Sequence, residues 1–362
     1  MIATTTLALA ELAAPLSRIA LRVDEAIGEL SVYGGSPAWR NAVEATLEVS
    51  RAPKHMVRAQ LVLIGGLAGG GSAEDPRLER FAVGVELLHL SLIIHDDVMD
   101  NATRRRGKPT LRVALQHVDP SIEWQVARDL AIVMGTMISA AAMRHLMPDG
   151  GTGETQACTL VLDALCHAGA GQFQDLLGWR RIGDDDQTLR RLLIDKTAYQ
   201  AFAAPFAAGL TLTKTGADVR PAIAWGCRMG LAFQVLDDLA DLVASPAITG
   251  KDALRDMLAG RPSLPLLILH ERTSGDEREL LESLVGHGTM TGAERAELHR
   301  LVDRHRVVDA CADYARKEIE GAGPGEDFSP EGRAGMAAVA KFLGGHLTDI
   351  VIEGTRSRPS KR

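Results

Sequence analysis

Two clusters of aspartates, each closing an apolar stretch, set the terms on which this chain can fold. ELLHLSLIIHDDVMD ends its apolar run in Asp96, Asp97 and Asp100, and GLAFQVLDDLADL, 141 residues on, repeats the arrangement with Asp237, Asp238 and Asp241. On a helix, positions i and i+4 share a face with side chains about 5–6 Å apart, so Asp96 and Asp100 project together with Asp97 beside them. Like charges stacked in this way repel, and the placement gains nothing unless a cation joins them. The chain must therefore be helical at both places and bring its two acidic ends toward a shared cation. Aromatics make up only 4% of the residues, and no long run alternates with period two, which also favours helices over sheets.

The 362 residues allow one large domain or two ordinary ones. No solenoid repeat and no long linker is visible, so the expectation is one all-α domain, residues 1–362, a bundle of about ten or more helices. Residues 1–36 would supply an N-terminal helix and 354–362 a frayed basic tail. A net charge of −7 argues against nucleic-acid binding. Cys158, Cys166, Cys227 and Cys311 lack metal-ligand spacing and read as reduced thiols. The N-terminus lacks a basic leader region, and no apolar segment is expected to reach the roughly 18 residues a membrane span needs. Ala82 to Ile94 comes nearest, interrupted by Glu86 and His89. The expected location is the cytoplasm.

Periodicity and punctuation predict the order of helices. Leu16, Ile19, Val23, Ile27 and Leu30 follow Pro15 at helical spacing, and a second helix runs from Pro37 toward Ser50. A third is predicted from near Pro53, with Lys54, His55 and Arg58 in its first turns. The next starts after Pro76 and reaches the first aspartates; it is apolar nearly all round, the mark of a buried central helix. Further helices are expected over 122–146, 155–177, 188–212, 221–243, 277–284, 293–305 and 332–352, with another opening at SLPLLILH. The Gly69–Gly71 cluster is not a phosphate loop, since no strand leads in and no Lys-Ser/Thr pair follows.

Hard divalent cations such as Mg²⁺ take oxygen ligands, one or two carboxylates each plus water and phosphates. Two aspartate-rich helix ends therefore suggest a diphosphate held through bridging metals. A single cluster could be a solvated helix end. Two clusters, one trailed by Arg104-Arg105-Arg106, argue against that, because guanidinium groups grip phosphate bidentately.

HDDVMDNATRRRGKPT resembles the first aspartate-rich motif of the trans-isoprenyl diphosphate synthases, the polyprenyl synthetase family, and GLAFQVLDDLADL resembles the second. GQFQDL (171–176), DKTA (195–198), GKDALRD (250–256) and GRPSLPL are similar to its intervening and following signatures. The resemblance spans Lys54 to Pro265 and fits the geranylgeranyl or longer-chain type. It implies antiparallel helices around a central cavity, a homodimer, and condensation of isopentenyl diphosphate with an allylic diphosphate to a longer all-trans product. It implies three Mg²⁺ ions bound with the allylic substrate by Asp96, Asp100 and Asp237, with Asp241 in the same ligand set. Asp97 and Lys196 join the catalytic group. Arg105, Lys196, Thr197, Gln234 and Lys251 would contact the allylic diphosphate, with Arg261 standing where the family usually has lysine. His89, Arg106 and Arg58 would bind isopentenyl diphosphate.

One segment departs from the family. Its Gly-Gly-Lys-x-x-Arg-Pro reads APKHMVRA here, so His55 takes the lysine position and Ala59 replaces the proline. On a helix Lys54 and Arg58 share a face at i, i+4, and Lys54 would supply the charge one residue early. Ser91 and Leu92, about 6–7.5 Å below the metals by helix rise, floor the cavity without an aromatic plug, with Leu88 below them. The family relation then implies a product of C20 or longer. Two other readings stay open: a terpene cyclase or unusual coupling enzyme on the same scaffold, and a non-catalytic subunit. The DDLAD second motif disfavours the first, and retention of all six aspartates the second. A di-metal oxidase bundle needs two Glu-x-x-His pairs, and only Glu86 with His89 is present.

Overall fold

The computed structural model describes residues 10–52, 55–105, 107–178, 185–243 and 254–356. The fold is all-α; the one sheet among the described residues is a hairpin pairing Arg104–Arg105 with Lys108–Pro109. The helices are α1 Ala13–Gly28, α2 Pro37–Ser50, α3 Val57–Ala68, α4 Pro76–Met99, α5 Leu111–Val118, α6 Trp124–Leu146 and α7 Thr152–Leu177. Then follow α8 Asp186–Leu193, a π-helical stretch Ile194–Ala203, α9 Ala204–Thr213 and α10 Arg220–Val243. A turn at Arg255–Leu258 leads to α11 Leu264–Arg272, α12 Asp276–Leu284, α13 Gly292–Arg304, α14 Val307–Glu320 and α15 Pro330–Arg356.

Local chemistry starts these helices where the sequence indicates. Ser36 caps α2 by accepting from Trp39 N, Asp75 caps α4 by accepting from Arg77 N, and a proline follows each cap. Thr291 and Glu294 close a capping box on α13. The buried apolar side chains then form one contiguous cluster from Leu12 to Ile350. Helix α4 runs through its middle, with Leu78, Phe81, Leu87 and Leu88 buried. It lies antiparallel to α6: Gly84 meets Leu146, Ser91 meets Ser139, and His95 meets Gly135.

Two expectations need correction. Helix α3 begins at Val57, after Met56 in the left-handed region (φ 47°), and not near Pro53 as the spacing suggests; the expected pairing of Lys54 with Arg58 falls on Lys54, outside the described residues. The start of α3 is set from a distance: the buried Glu86 carboxylate on α4 accepts from Ala59 N at 3.1 Å. Second, α6 is long and apolar enough to cross a membrane by length and composition, although only 33% of its apolar window is buried. One face packs on α4, while Val126, Leu130 and Val133 stand exposed on another. The hairpin, α5 and α14 are additional elements. For α14 the signal was local, since Val307, Val308, Cys311, Ala312 and Ala315 recur at helical spacing and are buried. Residues 354–356 of the expected tail continue α15.

Candidate active site

The first aspartate cluster forms the C-terminal end of α4, and the chain turns back on it at once. Arg105, on the hairpin, donates from Nε to Asp97 Oδ1 and from Nη2 to Asp96 Oδ2, both at 2.7 Å. Burial opposes the Arg105 charge, but Asp97 and Asp96 more than offset it and push its pKa upward. Asp97 is buried, while Asp96 and Asp100 are half-buried. Gln172 of α7 donates to Asp96 Oδ1 at 3.3 Å, and Arg261 donates to Asp100 Oδ1 at 2.5 Å. The same guanidinium lies 3.4 Å from Asp175 Oδ2.

The second cluster ends α10. Asp237 is exposed and Asp241 half-buried, with Asp256 N donating to Asp241 Oδ2. Asp238 is buried: Gln234 donates to one of its oxygens at 2.7 Å, and the other has no hydrogen-bond partner among the described residues. Burial, with Asp256 adding repulsion, raises its pKa well above the ordinary carboxylate value.

Between the clusters stands Lys196, in the π-helical stretch, where i→i+5 turns shift side chains off the α-helical register. Its ammonium donates to Asp175 Oδ2 at 2.6 Å. Burial works against the Lys196 charge, but Asp175, Asp96 and Asp256 outweigh it and raise its pKa. Asp238 in turn feels the Lys196 charge. One ammonium therefore stands within electrostatic reach of both clusters, and Gly171 lets it do so: a Cβ there would lie 2.3 Å from Lys196 N. Acidic helix ends, interleaved cations and the apolar cluster below make a site suited to a ligand with a polyanionic head and an apolar body.

A sequence model of polyprenyl synthetase matches residues 42–302. The chain belongs to the polyprenyl synthetase family. It is an enzyme, a transferase of prenyl groups. It is 30% identical over 309 residues to the geranylgeranyl diphosphate synthase of Mycobacterium tuberculosis, covering 81% of each chain. It is 28% identical over 303 residues to the short chain isoprenyl diphosphate synthase of Methanothermobacter thermautotrophicus, covering 81% of this chain and 89% of that one. In fold it is similar to the Corynebacterium glutamicum geranylgeranyl pyrophosphate synthase, crystallised with isoprenyl diphosphate and magnesium: TM-score 0.79 at 20% identity, over 91% of this chain and 97% of that one.

Of the expected site residues, Asp96, Asp97, Asp100, Arg105, Lys196 and Arg261 are tied together by the contacts above. Gln234 is engaged with Asp238, and Thr197 is half-buried beside Lys196. His89 lines a crevice with Glu86, Asp97, Arg105 and Thr110. Arg58 is half-buried at the start of α3, and His55 is exposed with its ring edge-on to Phe342 at 5.8 Å. Lys54, Arg106 and Lys251 lie outside the described residues. Leu88 and Ser91 are buried and Leu92 half-buried. The Ser91 hydroxyl lies 2.5 Å from that of Ser139, so α6 closes over it. Gln172 and Asp175 belong to a motif noted above, GQFQDL, without a role of their own, and Ser139 to none.

Among the described residues no three carboxylate, imidazole or thiolate side chains converge to enclose an ion. That is compatible with Mg²⁺, which takes one or two carboxylates and completes its shell with water and phosphate oxygens. Asp96 with Asp100 at the end of α4, and Asp237 with Asp241 on α10, are the carboxylates that would hold it. The hard-oxygen donor set fits the ion.

Proposed function

We propose that the enzyme condenses isopentenyl diphosphate with an allylic diphosphate and releases an all-trans prenyl diphosphate of C20 or longer. The observation that carries this reading is Lys196 held between the two aspartate clusters, with Arg105 and Arg261 gripping the first. Three Mg²⁺ ions, held with the allylic diphosphate by Asp96, Asp100, Asp237 and Asp241, would supply charge stabilisation on the departing diphosphate. Lys196, Arg105 and Arg261 exchange carboxylate partners for diphosphate oxygens and favour ionisation of the allylic C–O bond. Thr197, Gln234 and Lys251 contact the same group. His89, Arg58 and Arg106, with His55 and Lys54 close in sequence, hold isopentenyl diphosphate so that its double bond attacks the allylic carbon; the released diphosphate then takes the proton lost from the new cation. Apolar walls exclude water that would quench the cation. Leu92, Ser91 and Leu88, with no aromatic among them, leave room for the tail.

A homodimer in the cytoplasm accompanies this reading. Val126, Leu130 and Val133, exposed on α6, give an apolar face that a second copy would cover. Equilibrium sedimentation without detergent should give twice the chain mass.

The deciding assay combines purified protein, Mg²⁺, labelled isopentenyl diphosphate and allylic primers of increasing length. Incorporation into a C20 or longer product is expected. No incorporation with any primer overturns elongation, and cyclic hydrocarbon from an allylic diphosphate alone would point to a cyclase.

A further inference from the structure

Arg112, in the first turn of α5, is a buried cation that the chemistry above does not use. It is only 2% exposed, and its contacts are neutral. Nη1 donates to Asn101 Oδ1 at 2.6 Å and Nη2 to the Ala102 carbonyl at 3.2 Å, while the guanidinium lies 3.6 Å from the centre of the Trp124 ring. Its Nε has no hydrogen-bond partner among the described residues. Burial pulls its pKa down, partly offset by the charge of Asp97. A desolvated guanidinium bonded only to neutral groups is costly to keep, and one planar fork joining three elements is a rigid strap.

What it straps is the loop that carries Arg105. Asn101 directly follows the first aspartate cluster and is left-handed, with φ 53°. Ala102 N donates to the Asp97 carbonyl at 2.9 Å. The Ala102 carbonyl accepts from both Arg112 and the Thr110 hydroxyl, and Thr110 N donates to the Thr103 carbonyl. Both ends of the Asn101–Thr110 loop are thus pinned to one carbonyl. The hairpin between them holds Arg105 against Asp96 and Asp97. The Trp124 ring anchors the strap on α6, so the loop is fixed against a second helix as well as its own base.

We propose that Arg112 is a positioning residue for diphosphate binding: through Asn101, Ala102 and Trp124 it sets the height and angle at which the hairpin presents Arg105. It touches no substrate. The inference rests on the function proposed above, and its test separates the two.

Asn101→Gly removes the carboxamide yet keeps a residue at ease at positive φ, and Asn101 is exposed, so folding is spared. Arg112→Lys keeps the charge and loses the fork. The readouts are KM and kcat with both substrates, the Kd of inorganic pyrophosphate with Mg²⁺ by calorimetry, and hydrogen exchange at the Ala102 and Thr110 amides. Losing the charged hydrogen bond should raise KM and the pyrophosphate Kd about tenfold. Turnover should stay within about threefold, since ground-state placement is what is lost. Exchange at both amides should quicken, and the double variant should be no worse than the more affected single one. An unchanged pyrophosphate Kd in Asn101→Gly overturns the proposal, as does a loss confined to melting temperature. If the wild type extends no primer, elongation fails as the function, while the pyrophosphate and exchange measurements still decide the role of Arg112.

Discussion

Replacing Gly171 with alanine tests whether the height of Lys196 matters as its geometry implies. The added Cβ would lie 2.3 Å from Lys196 N and 2.5 Å from its Cα, where ordinary contact begins at 3.4 Å. Both obstructing atoms are backbone, so no rotamer change relieves the clash. Helix α7 and the π-helical stretch must part by about 1.1 Å (3.4 − 2.3). A displacement of about 1 Å at a catalytic group costs on the order of 100-fold in rate. Overpacking should also remove about 1–3 kcal/mol of stability. Gly169, two residues earlier on the same helix, is the control: it is exposed, and a Cβ there meets nothing within 4 Å. Gly169→Ala should gain about 0.5–1 kcal/mol from helix propensity and leave turnover unchanged. Steady-state turnover and thermal melting of both variants decide the matter. Wild-type turnover and melting in Gly171→Ala would refute the packing argument, and equal damage from Gly169→Ala would show that the helix, not the crossing, is sensitive.

Arg105→Ala should cost about 1.5–3 kcal/mol in urea unfolding, because the buried Asp97 loses a charge-assisted bond; an unchanged midpoint would refute it. Asp238→Asn should make the metal-free protein melt higher than wild type at pH 8, with the gain shrinking toward pH 4. Burial holds the Asp238 pKa above its unfolded value, so the native state retains a proton the unfolded chain releases. Wild-type stability then falls as pH rises through that window, and the amide removes the fall. A pH-independent difference in melting temperature would count against this. Ser91→Phe must either push α6 from α4 or turn its ring into the cavity, since the Ser91 and Ser139 hydroxyls already touch. A shorter product and a loss of about 1–3 kcal/mol are expected; chromatography showing unchanged products alongside an unchanged melting temperature would locate the floor elsewhere.

Much of the helical frame was legible because its determinants are local. Pro37, Pro76 and the caps before them mark helix starts, and the apolar surroundings of α4 mark a buried helix wherever it sits in space. The start of α3 is not legible in the sequence because a carboxylate on α4, Glu86, caps it from 27 positions away. Periodicity carries no trace of such a contact.

The sequence by itself determined that two helices end in aspartates and that arginines follow the first. It could not determine which cation meets which carboxylate. Arg261 reaches Asp100 across 161 residues and Lys196 reaches Asp175 across 21, contacts that exist only once the helices pack. Nor could it say which face of α6 is covered, since both are apolar and only packing against α4 distinguishes them. Arg112 shows the same division: nothing in its spacing singles it out, and tertiary structure buries it between Asn101 and Trp124. Patterns of single residues fix helices, but a site made by crossing helices depends on distances that sequence spacing does not encode.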